Sequence, residues 1–339
     1  MIATVAGRRK PVVETPETLI EVRGLGVAYA DVQAVDGVDL TIASGEVLGL
    51  AGESGCGKST IAGALMQILR PPARITAGSI RFRGEDLTAR SREELRRFRW
   101  RNVSIVFQSA MSALNPVMRV GDQFVDMMRA HERVSKRAAL GRAGELLDLI
   151  GINARSVRAY PHELSGGMRQ RVIIAMALAL EPELVIMDEP TTALDVVVQR
   201  EILQQVRELQ RELGFAVLFI THDLSLLLEF ANRIAIMYAG EIVEEAPAAV
   251  LHAGPRHPYT IGLMRSFPPL TGPIEHMTGI PGSPPDLAAP PAGCRFHPRC
   301  PHCSTDDAGL YRLQTTARPR LTEIAPAHRV ACHLVEAGR

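Results

Sequence analysis

Along the first half of the chain, apolar residues alternate between short runs typical of strands and longer stretches with helical spacing. The segments LIEVRGLGVAY and VDGVDLTIASGEVLGLAG, within 19–52, have the β-rich composition and the turn residues of strands joined in hairpins. A helix is predicted to follow at about 58–69. Residues 73–82 and 103–107 are predicted to be further strands, and 120–150 to be mainly helical.

Two later apolar runs end in polar residues. They are LVIMDEP at 184–190 and AVLFITHD at 216–223, and helical segments such as REILQQVRELQRELG at 200–214 join them to the rest. Strands that are apolar throughout and connected by helices indicate a parallel sheet, so the predicted fold class is α/β. In such folds ligands bind at the carboxyl ends of the strands.

The composition changes after about residue 254. The segments PRHPYT, SFPPLTGP and PGSPPDLAAPPAGC are rich in proline and have little periodicity. We therefore predict a main domain at 19–255 and an irregular C-terminal extension at 256–339. The first residues carry charges and prolines where an export signal needs an apolar stretch, so 1–18 is predicted to be a flexible tail.

Composition and charge narrow the function classes. The 339 residues are 46% apolar, and 38 basic residues nearly balance 37 acidic ones. Because nucleic-acid-binding proteins usually carry a positive excess, we expect no nucleic-acid partner. The longest apolar run, VIIAMALAL at 172–180, is much shorter than the ~18 to 20 residues of a bilayer-spanning helix and predicts a buried helix. Any membrane role must then come through partner chains.

The most specific motif is GESGCGKST at Gly52–Thr60, here named the phosphate loop. It matches G-x-x-x-x-G-K-[ST] between a predicted strand and a predicted helix, the arrangement in which backbone N–H groups bind phosphates. Lys58 is predicted to reach the outer phosphates of ATP, and Ser59 to bind Mg²⁺. The predicted ATP-binding residues of the loop are Gly52, Glu53, Ser54, Gly55, Cys56, Gly57, Lys58, Ser59 and Thr60.

Two adjacent carboxylates end the buried run LVIMDEP. Successive strand positions point in different directions, so Asp188 and Glu189 are predicted to have different roles. Asp188 is expected to hold the Mg²⁺ shell, and Glu189 to polarise the attacking water as a catalytic residue.

A third motif, LSGG, begins at Leu164, and with it the sequence resembles the ATP-binding subunits of ABC transporters. In that family, the residues matching Ser165, Gly166 and Gly167 face the nucleotide held by another subunit. The resemblance implies that ATP lies between two chains. The fifth motif position is usually Gln in the family and is Met168 here.

Other positions match the family in order along the chain. The resemblance implies that Gln108 links the metal to a helical subdomain at about 109–165, and that His222 contacts the terminal phosphate. It also implies that Asp195 communicates across the dimer and that Tyr29 stacks on adenine. With Lys58 and Glu189, Gln108 and His222 complete the predicted catalytic set, and Ser59, Gln108 and Asp188 the predicted magnesium ligands.

The resemblance also implies an architecture and partners. The expected fold is a P-loop NTPase with a parallel core sheet, an antiparallel β subdomain and a helical subdomain. HPYTIGLMRSFP at 257–268, with the following GCRFHPRCP, resembles the C-terminal extension of oligopeptide and dipeptide importer ATPases. The expected partners are a second ATPase chain forming a heterodimer, two transmembrane permease chains and an extracytoplasmic substrate-binding protein. The expected location is the cytoplasmic face of the cell membrane, peripherally bound.

Two alternatives to peptide uptake stay open. Nickel importers and importers of other small solutes share the same extension. The same ATPase module also serves DNA-repair proteins and translation factors. The DNA-repair type inserts long modules between the phosphate loop and LSGG, and the translation type carries two cassettes, whereas this chain has one set of motifs and an importer-sized insert.

Four of the five cysteines lie near the end of the chain, at Cys294, Cys300, Cys303 and Cys332. Their spacing, with only one C-x₂-C pair, favours a [4Fe–4S] cluster slightly over Zn²⁺, and free thiols are the third alternative. A metal would staple a proline-rich segment that has little core of its own. The fifth, Cys56, lies at a helix N-terminus, which tends to lower the pKa of a thiol.

Overall fold

The computed structural model describes residues 17–108, 113–190, 195–266 and 279–338. The predicted tail at 1–18 lies almost entirely outside the described residues. The described strands are β1 (Thr18–Tyr29), β2 (Val32–Ala43), β3 (Val47–Ala51), β4 (Ala73–Phe82), β5 (Glu85–Asp86), β6 (Val103–Val106), β7 (Leu184–Asp188), β8 (Ala216–Thr221), β9 (Arg233–Tyr238), β10 (Glu241–Pro247), β11 (Thr322–Ala325) and β12 (His328–Val330).

The helices alternate with the strands through most of the chain. They are α1 (Lys58–Leu65), α2 (Arg92–Phe98), α3 (Val120–His131), α4 (Lys136–Leu149), α5 (Gly166–Leu178), α6 (Val196–Leu213), α7 (Leu224–Phe230), α8 (Ala248–Ala253), α9 (Pro258–Arg265), α10 (Ala308–Thr316) and α11 (His333–Glu336). Short 3-10 turns lie at Ala154–Arg158, Pro161–Glu163 and His297–Arg299.

The larger sheet has eight strands in the order β11-β12-β10-β9-β3-β8-β7-β6. The strands from β9 to β6 are parallel neighbours, and β10, β12 and β11 extend the sheet by antiparallel pairing. Every residue of β3, β7 and β8 is buried, because helices or another sheet cover both faces. A second sheet, in the order β2-β1-β4-β5, is antiparallel. The predicted α/β fold class is therefore confirmed.

The central strand β3 separates two apolar clusters. Val47 and Ala51 point into a cluster shared with the helices, which includes Phe124 of α3. Leu48 and Leu50 point the other way, into a cluster shared with the antiparallel sheet. This alternation follows from the two-residue period of a strand. One short strand thus anchors both layers of the core.

Helix α1 is shorter than predicted. The sequence predicts that it continues to about Leu69, but it ends at Leu65. Gln67 adopts a left-handed conformation with φ of 50°, and the Ile68 N–H donates to the Gly63 carbonyl at 3.0 Å. This pattern is a Schellman motif, in which a left-handed residue closes the helix. Periodicity did not reveal the end because the apolar pattern continues past it.

The C-terminal extension adds strands to the main sheet. Glu244 and Glu245 of β10 pair with Val330 and Arg329 of β12, and β12 then pairs with β11. Proline-rich composition does not predict these strands. Within the described ranges, no helix is long and apolar enough to span a membrane.

Candidate active site

The phosphate loop connects the end of β3 to the start of α1, and two of its glycines leave no room for a side chain. Gly52 has φ of 154°, and a Cβ there would lie 2.2 Å from the Met237 carbonyl oxygen. Gly57 has φ of 110°, and a Cβ there would lie 2.4 Å from the Ala34 carbonyl oxygen. Close packing and left-handed backbone both demand glycine at these positions.

Lys58 closes the loop on itself. Its Nζ donates to the Gly52 carbonyl at 2.7 Å and to the Glu53 carbonyl at 2.9 Å, and the side chain is buried. Gly57 caps α1 without a side-chain hydrogen bond. The first N–H groups of the helix are therefore not occupied by a capping side chain, as a phosphate site at a helix N-terminus requires.

Asp188, at the end of β7, is buried beside the phosphate loop. Burial raises the pKa of its carboxyl, and a hydrogen bond with Ser59 opposes the rise. Its Oδ1 atom is buried and has no hydrogen-bond partner among the described residues. An unpaired buried carboxylate oxygen beside a phosphate loop suits a divalent cation, because a hard cation prefers oxygen ligands.

Glu189 contacts two other predicted site residues, Gln108 and His222. Its Oε2 accepts from Gln108 Nε2 at 2.9 Å, and its Oε1 lies 3.2 Å from His222 Nδ1. Glu189 itself has a left-handed backbone with φ of 47°, and its N–H donates to the Ile220 carbonyl of β8 at 2.9 Å. The ends of β6, β7 and β8 therefore bring Gln108, Glu189 and His222 to one place.

Tyr29 contacts the last residue of the phosphate loop. Its ring is 40% exposed at the end of β1, and its hydroxyl lies 3.4 Å from Thr60 Oγ1. Ser54 and Gly55 line a cavity of about 280 Å³ together with residues 284–287 of the extension. An exposed aromatic ring beside the loop is available for stacking on a base.

The LSGG motif begins α5 and packs against α6. Ser165 caps α5 by accepting from the Met168 N–H at 3.3 Å. A Cβ at Gly167 would lie 2.9 Å from Val198 Cγ1 of α6, whose N-cap residue is Asp195. Among the described residues, no hydrogen bond or ion pair joins Ser165, Gly166 or Gly167 to the phosphate loop. The structure therefore brings the LSGG motif close to α6.

Cys56 differs from the sequence expectation. Its side chain is 5% exposed, and burial raises the pKa of the thiol, although the neighbouring Lys58 opposes the rise. The expectation of a lowered pKa at this helix N-terminus is wrong, because desolvation of the thiolate outweighs the helix end and the nearby cation.

Two contacts to the phosphate loop come from residues that sequence reasoning missed. Arg299 of the extension makes an ion pair with Glu53, with Nη1 2.7 Å from Oε2. The Glu53 N–H donates to the Tyr259 hydroxyl at 3.0 Å. The sequence signal that could have revealed Arg299 is the pair of arginines at 295 and 299 in CRFHPRC. The sequence interpretation of that segment considered its cysteines and not its arginines.

Comparison with known proteins identifies the family that this chain resembles. The model of the "ABC transporter" family matches residues 35–192. The chain is 46% identical over 286 residues to "Oligopeptide transport ATP-binding protein OppD" of Bacillus subtilis (strain 168), covering 82% of this chain and 80% of the relative.

The chain belongs to the ABC transporter ATP-binding family. A second family model, "Oligopeptide/dipeptide transporter, C-terminal region", matches this ABC ATPase at residues 243–306. This chain is 43% identical to "Dipeptide transport ATP-binding protein DppD" of Bacillus subtilis (strain 168), and the match covers 84% of this chain and 88% of the relative.

Solved structures show the same fold. The ABC ATPase matches "Dimeric Structure of MJ0796, a Bacterial ABC Transporter Cassette" with a TM-score of 0.61 and 28% identity, over 68% of this chain and 99% of that chain. A post-hydrolysis form of the same cassette, bound to ADP and Pi, matches with a TM-score of 0.60. This chain is accordingly an ATPase that binds ATP with Mg²⁺, and its family implies transmembrane permease partners.

The predicted [4Fe–4S] cluster is wrong, and so is its zinc alternative. Across the described ranges, no group of three or more His, Cys, Asp or Glu side chains is arranged to hold a metal ion. Cys294, Cys300, Cys303 and Cys332 are free cysteines. Burial raises the pKa of all four thiols, to about 12 for Cys294 and about 11 for Cys300.

Proposed function

We propose that this ABC ATPase energises the uptake of oligopeptides or dipeptides across the cell membrane. The observation that supports this cargo is the match of residues 243–306 to the C-terminal region of oligopeptide and dipeptide transporters. The named relatives agree with it, because they are oligopeptide and dipeptide transport ATP-binding proteins that align over most of this chain.

Within the chain, each predicted site residue has a role that its position supports. Lys58 neutralises the outer phosphates, and Ser59, Asp188 and Gln108 hold Mg²⁺. The bound Mg²⁺ neutralises charge on the phosphates. Tyr29 stacks on the adenine.

Glu189 orients the attacking water and accepts its proton. Its side chain is 15% exposed and lies beside Gln108 and His222, so the carboxylate is held at the edge of the site rather than free to rotate. His222, 62% exposed, contacts the terminal phosphate from the other side. The contacts of Glu189 support its proposed role as a positioned general base.

Among the described residues, the LSGG motif makes no hydrogen bond or ion pair with the phosphate loop of its own chain, which supports a two-chain site. Ser165 and the N–H groups of Gly166 and Gly167 then complete the phosphate contacts of the nucleotide bound to a second chain. We propose that this second chain is a related ATPase, so that the pair is a heterodimer. The complete transporter has two permease chains and an extracytoplasmic substrate-binding protein, and the ATPases bind the permeases at the cytoplasmic face of the membrane.

The role of Glu189 is tested by the substitution Glu189→Gln. The variant should bind ATP but hydrolyse it about 10²- to 10⁴-fold more slowly, because the general base is lost. ATP should then hold the two ATPase chains closed. Phosphate release measures the rate, and sedimentation velocity measures the closed dimer. Glu145→Gln, on the exposed face of α4, is the matched control and should behave like the native chain. Hydrolysis by Glu189→Gln within a few-fold of the native rate would contradict the assignment.

The cargo is tested by uptake in cells that express the complete transporter. We expect uptake of labelled dipeptides and oligopeptides that is abolished when this chain carries Glu189→Gln. Uptake of labelled Ni²⁺, measured in the same cells, should not respond to the substitution. The opposite pattern would assign the transporter to nickel and overturn the peptide proposal.

A further inference from the structure

Two buried arginines of the extension reach into the ATP-binding domain. Arg295 is 3% exposed and Arg299 is 7% exposed, although both side chains are charged. A buried guanidinium is stable only where acceptors satisfy it. The partners of these two arginines are the phosphate loop and the turn that supports it.

Arg299 binds Glu53 through the two terminal nitrogens of its guanidinium group. Nη1 lies 2.7 Å from Oε2 and Nη2 lies 3.1 Å from Oε1, the two-bond geometry that fixes the orientation of both groups. The third donor, Nε, is bonded to the Pro281 carbonyl at 2.8 Å. Burial acts to lower the pKa of Arg299, but the hydrogen bonds to Glu53 and Tyr238 outweigh it and raise the pKa.

The extension also holds the backbone of Glu53. The Tyr259 hydroxyl accepts from the Glu53 N–H at 3.0 Å, and the Tyr259 ring is fully buried against Tyr238 and Phe296. The side chain and the backbone of one loop residue are therefore both held by residues of the extension. A residue restrained at both ends has little freedom to change its dihedral angles.

Glu53 is linked in turn to the lysine of the loop. Its carbonyl accepts from Lys58 Nζ at 2.9 Å. A continuous chain of contacts thus runs from Arg299 through Glu53 to the ammonium group that meets the phosphates. Without Arg299, the Glu53 carboxylate would lose its ion-pair partner, and its charge would oppose anionic phosphates in the loop that is proposed to bind them.

The second arginine supports the turn beneath the loop. Arg295 bonds to the Ala239 carbonyl and pairs with Asp36. The next residue, Gly240, donates its N–H to the Cys56 carbonyl at 2.9 Å and accepts from the Asp36 N–H at 2.9 Å. The extension therefore restrains the phosphate loop from the Glu53 side and from the Cys56 side.

We propose that Arg299 is a positioning residue for ATP binding, through which the C-terminal extension sets the affinity of the phosphate loop for the phosphates of ATP. Arg299 acts on the loop through Glu53 and does not touch the nucleotide. This inference rests on the proposed role of the phosphate loop and Lys58 in holding ATP. It adds a function to the extension, which otherwise marks only the subfamily.

The test measures ATP affinity and steady-state hydrolysis in the purified full-length chain, assembled with its transporter partners. Arg299→Ala should raise the Kd of a fluorescent ATP analogue and the KM for ATP by about 3- to 30-fold, the usual range for a coupling contact. The maximal rate kcat should change by less than about 2-fold, because the catalytic residues are untouched. Arg299→Lys should lose part of the same affinity, since an ammonium cannot make two parallel bonds.

A charge rescue separates positioning from general loss of structure. In Arg299→Ala with Glu53→Gln, the unpaired carboxylate is gone, so the Kd should recover part of the way toward the native value. Arg312→Ala is the matched control, because Arg312 lies in the same extension and is exposed on α10. Its Kd and KM should equal those of the native chain. If Arg299→Ala does not fold, Arg299→Lys and Glu53→Gln carry the measurement.

Two results would overturn the proposal. The first is an unchanged Kd and KM in Arg299→Lys and Arg299→Ala. The second is a loss of kcat and affinity together with no recovery in the double variant, which indicates a structural role only. Failure of the underlying site is detected separately, because Lys58→Ala must abolish binding of the analogue whatever Arg299 does.

Discussion

At the scale of single residues, His257 shows how burial sets a protonation state. Its Nδ1 accepts from the Tyr259 N–H at 3.0 Å as the N-cap of α9, so a neutral ring must carry its proton on Nε2. The ring is 1% exposed, and burial lowers the pKa of His257 from 6.5 to about 3. A charged ring would lose both its cap and its hydration.

This depressed pKa predicts acid sensitivity. The unfolded chain binds a proton at His257 below pH 6.5, whereas the folded chain binds it only near pH 3. The stability is therefore fully present above pH 6.5 and is lost as the pH falls toward 3, by about 2 kcal/mol at pH 5. His257→Asn keeps the cap and should flatten the pH dependence of the free energy of unfolding between pH 7 and pH 5 by that amount.

His252→Asn is the control for this measurement, since His252 is exposed on α8. It should retain the native slope. An unchanged slope in His257→Asn, measured by calorimetry over the same pH range, would show that His257 is not the group responsible.

The family resemblance, together with the order of the motifs, predicted which residues would form the site but not which atoms are in contact. Glu189, Gln108 and His222 were expected at neighbouring strand ends, and parallel strands do bring them together. The contact of Arg299 with Glu53 joins residues 246 positions apart. A pair so distant along the chain has no local pattern, because only tertiary packing decides that the extension lies over the loop.

At the scale of elements, the pairing of β10 with β12 depends on one buried carboxylate. Glu244 is completely buried, and its oxygens accept from the N–H groups of Arg256 and His257 at 2.7 and 3.0 Å. One of them also lies 2.8 Å from His328 Nε2 on β12. The carboxylate thus ties the last strand of the main domain to both ends of the extension.

Loss of this carboxylate should loosen the extension. Glu244→Ala leaves the N–H groups of Arg256 and His257 and the buried His328 ring without their shared acceptor. It should reduce the free energy of unfolding by about 3–5 kcal/mol in a urea titration. Glu212→Ala, on the exposed face of α6, is the control and should change it by less than about 0.5 kcal/mol. If Glu244→Ala lowered the free energy of unfolding as little as the control does, Glu244 would not be a residue that holds β12 in place.

Periodicity predicted the elements of the ATP-binding domain better than those of the extension. The strands at 73–82 and 103–106 and the helices within 120–149 lie where apolar spacing placed them. The short strands β11 and β12 have no repeating pattern to detect. They form because an existing sheet edge supplies their hydrogen-bond partners, and a sequence alone does not contain that edge.

At the scale of the whole molecule, the exposed start of α6 is an apolar surface suited to contact with a second chain in the proposed dimer. Val196 and Val197 are 64% and 68% exposed and directly follow Asp195, the residue matched to communication across the dimer. Burial of such side chains contributes about 1.5 kcal/mol or more each. The ATP-driven dimer should therefore depend on them.

In the Glu189→Gln chain, the further substitution Val197→Asp should weaken ATP-driven dimerisation at least about 10-fold, because a charge would be buried without a partner. Sedimentation velocity with ATP, with and without the co-purified second ATPase, measures the effect. Leu313→Asp, at an apolar position 49% exposed on α10, should dimerise like its parent. Equal dimerisation by both variants would show that the start of α6 is not part of the interface.

The two strands that the extension adds also change how the sheet meets other proteins. Without them, β10 would be an edge strand whose unpaired N–H and C=O groups could pair with any extended chain. The actual edge is β11, a four-residue strand with every residue exposed and with Pro319 and Pro326 close to its ends. Short, proline-flanked edges resist strand addition. We therefore expect the sheet to add foreign strands less readily at β11 than it would at an uncovered β10.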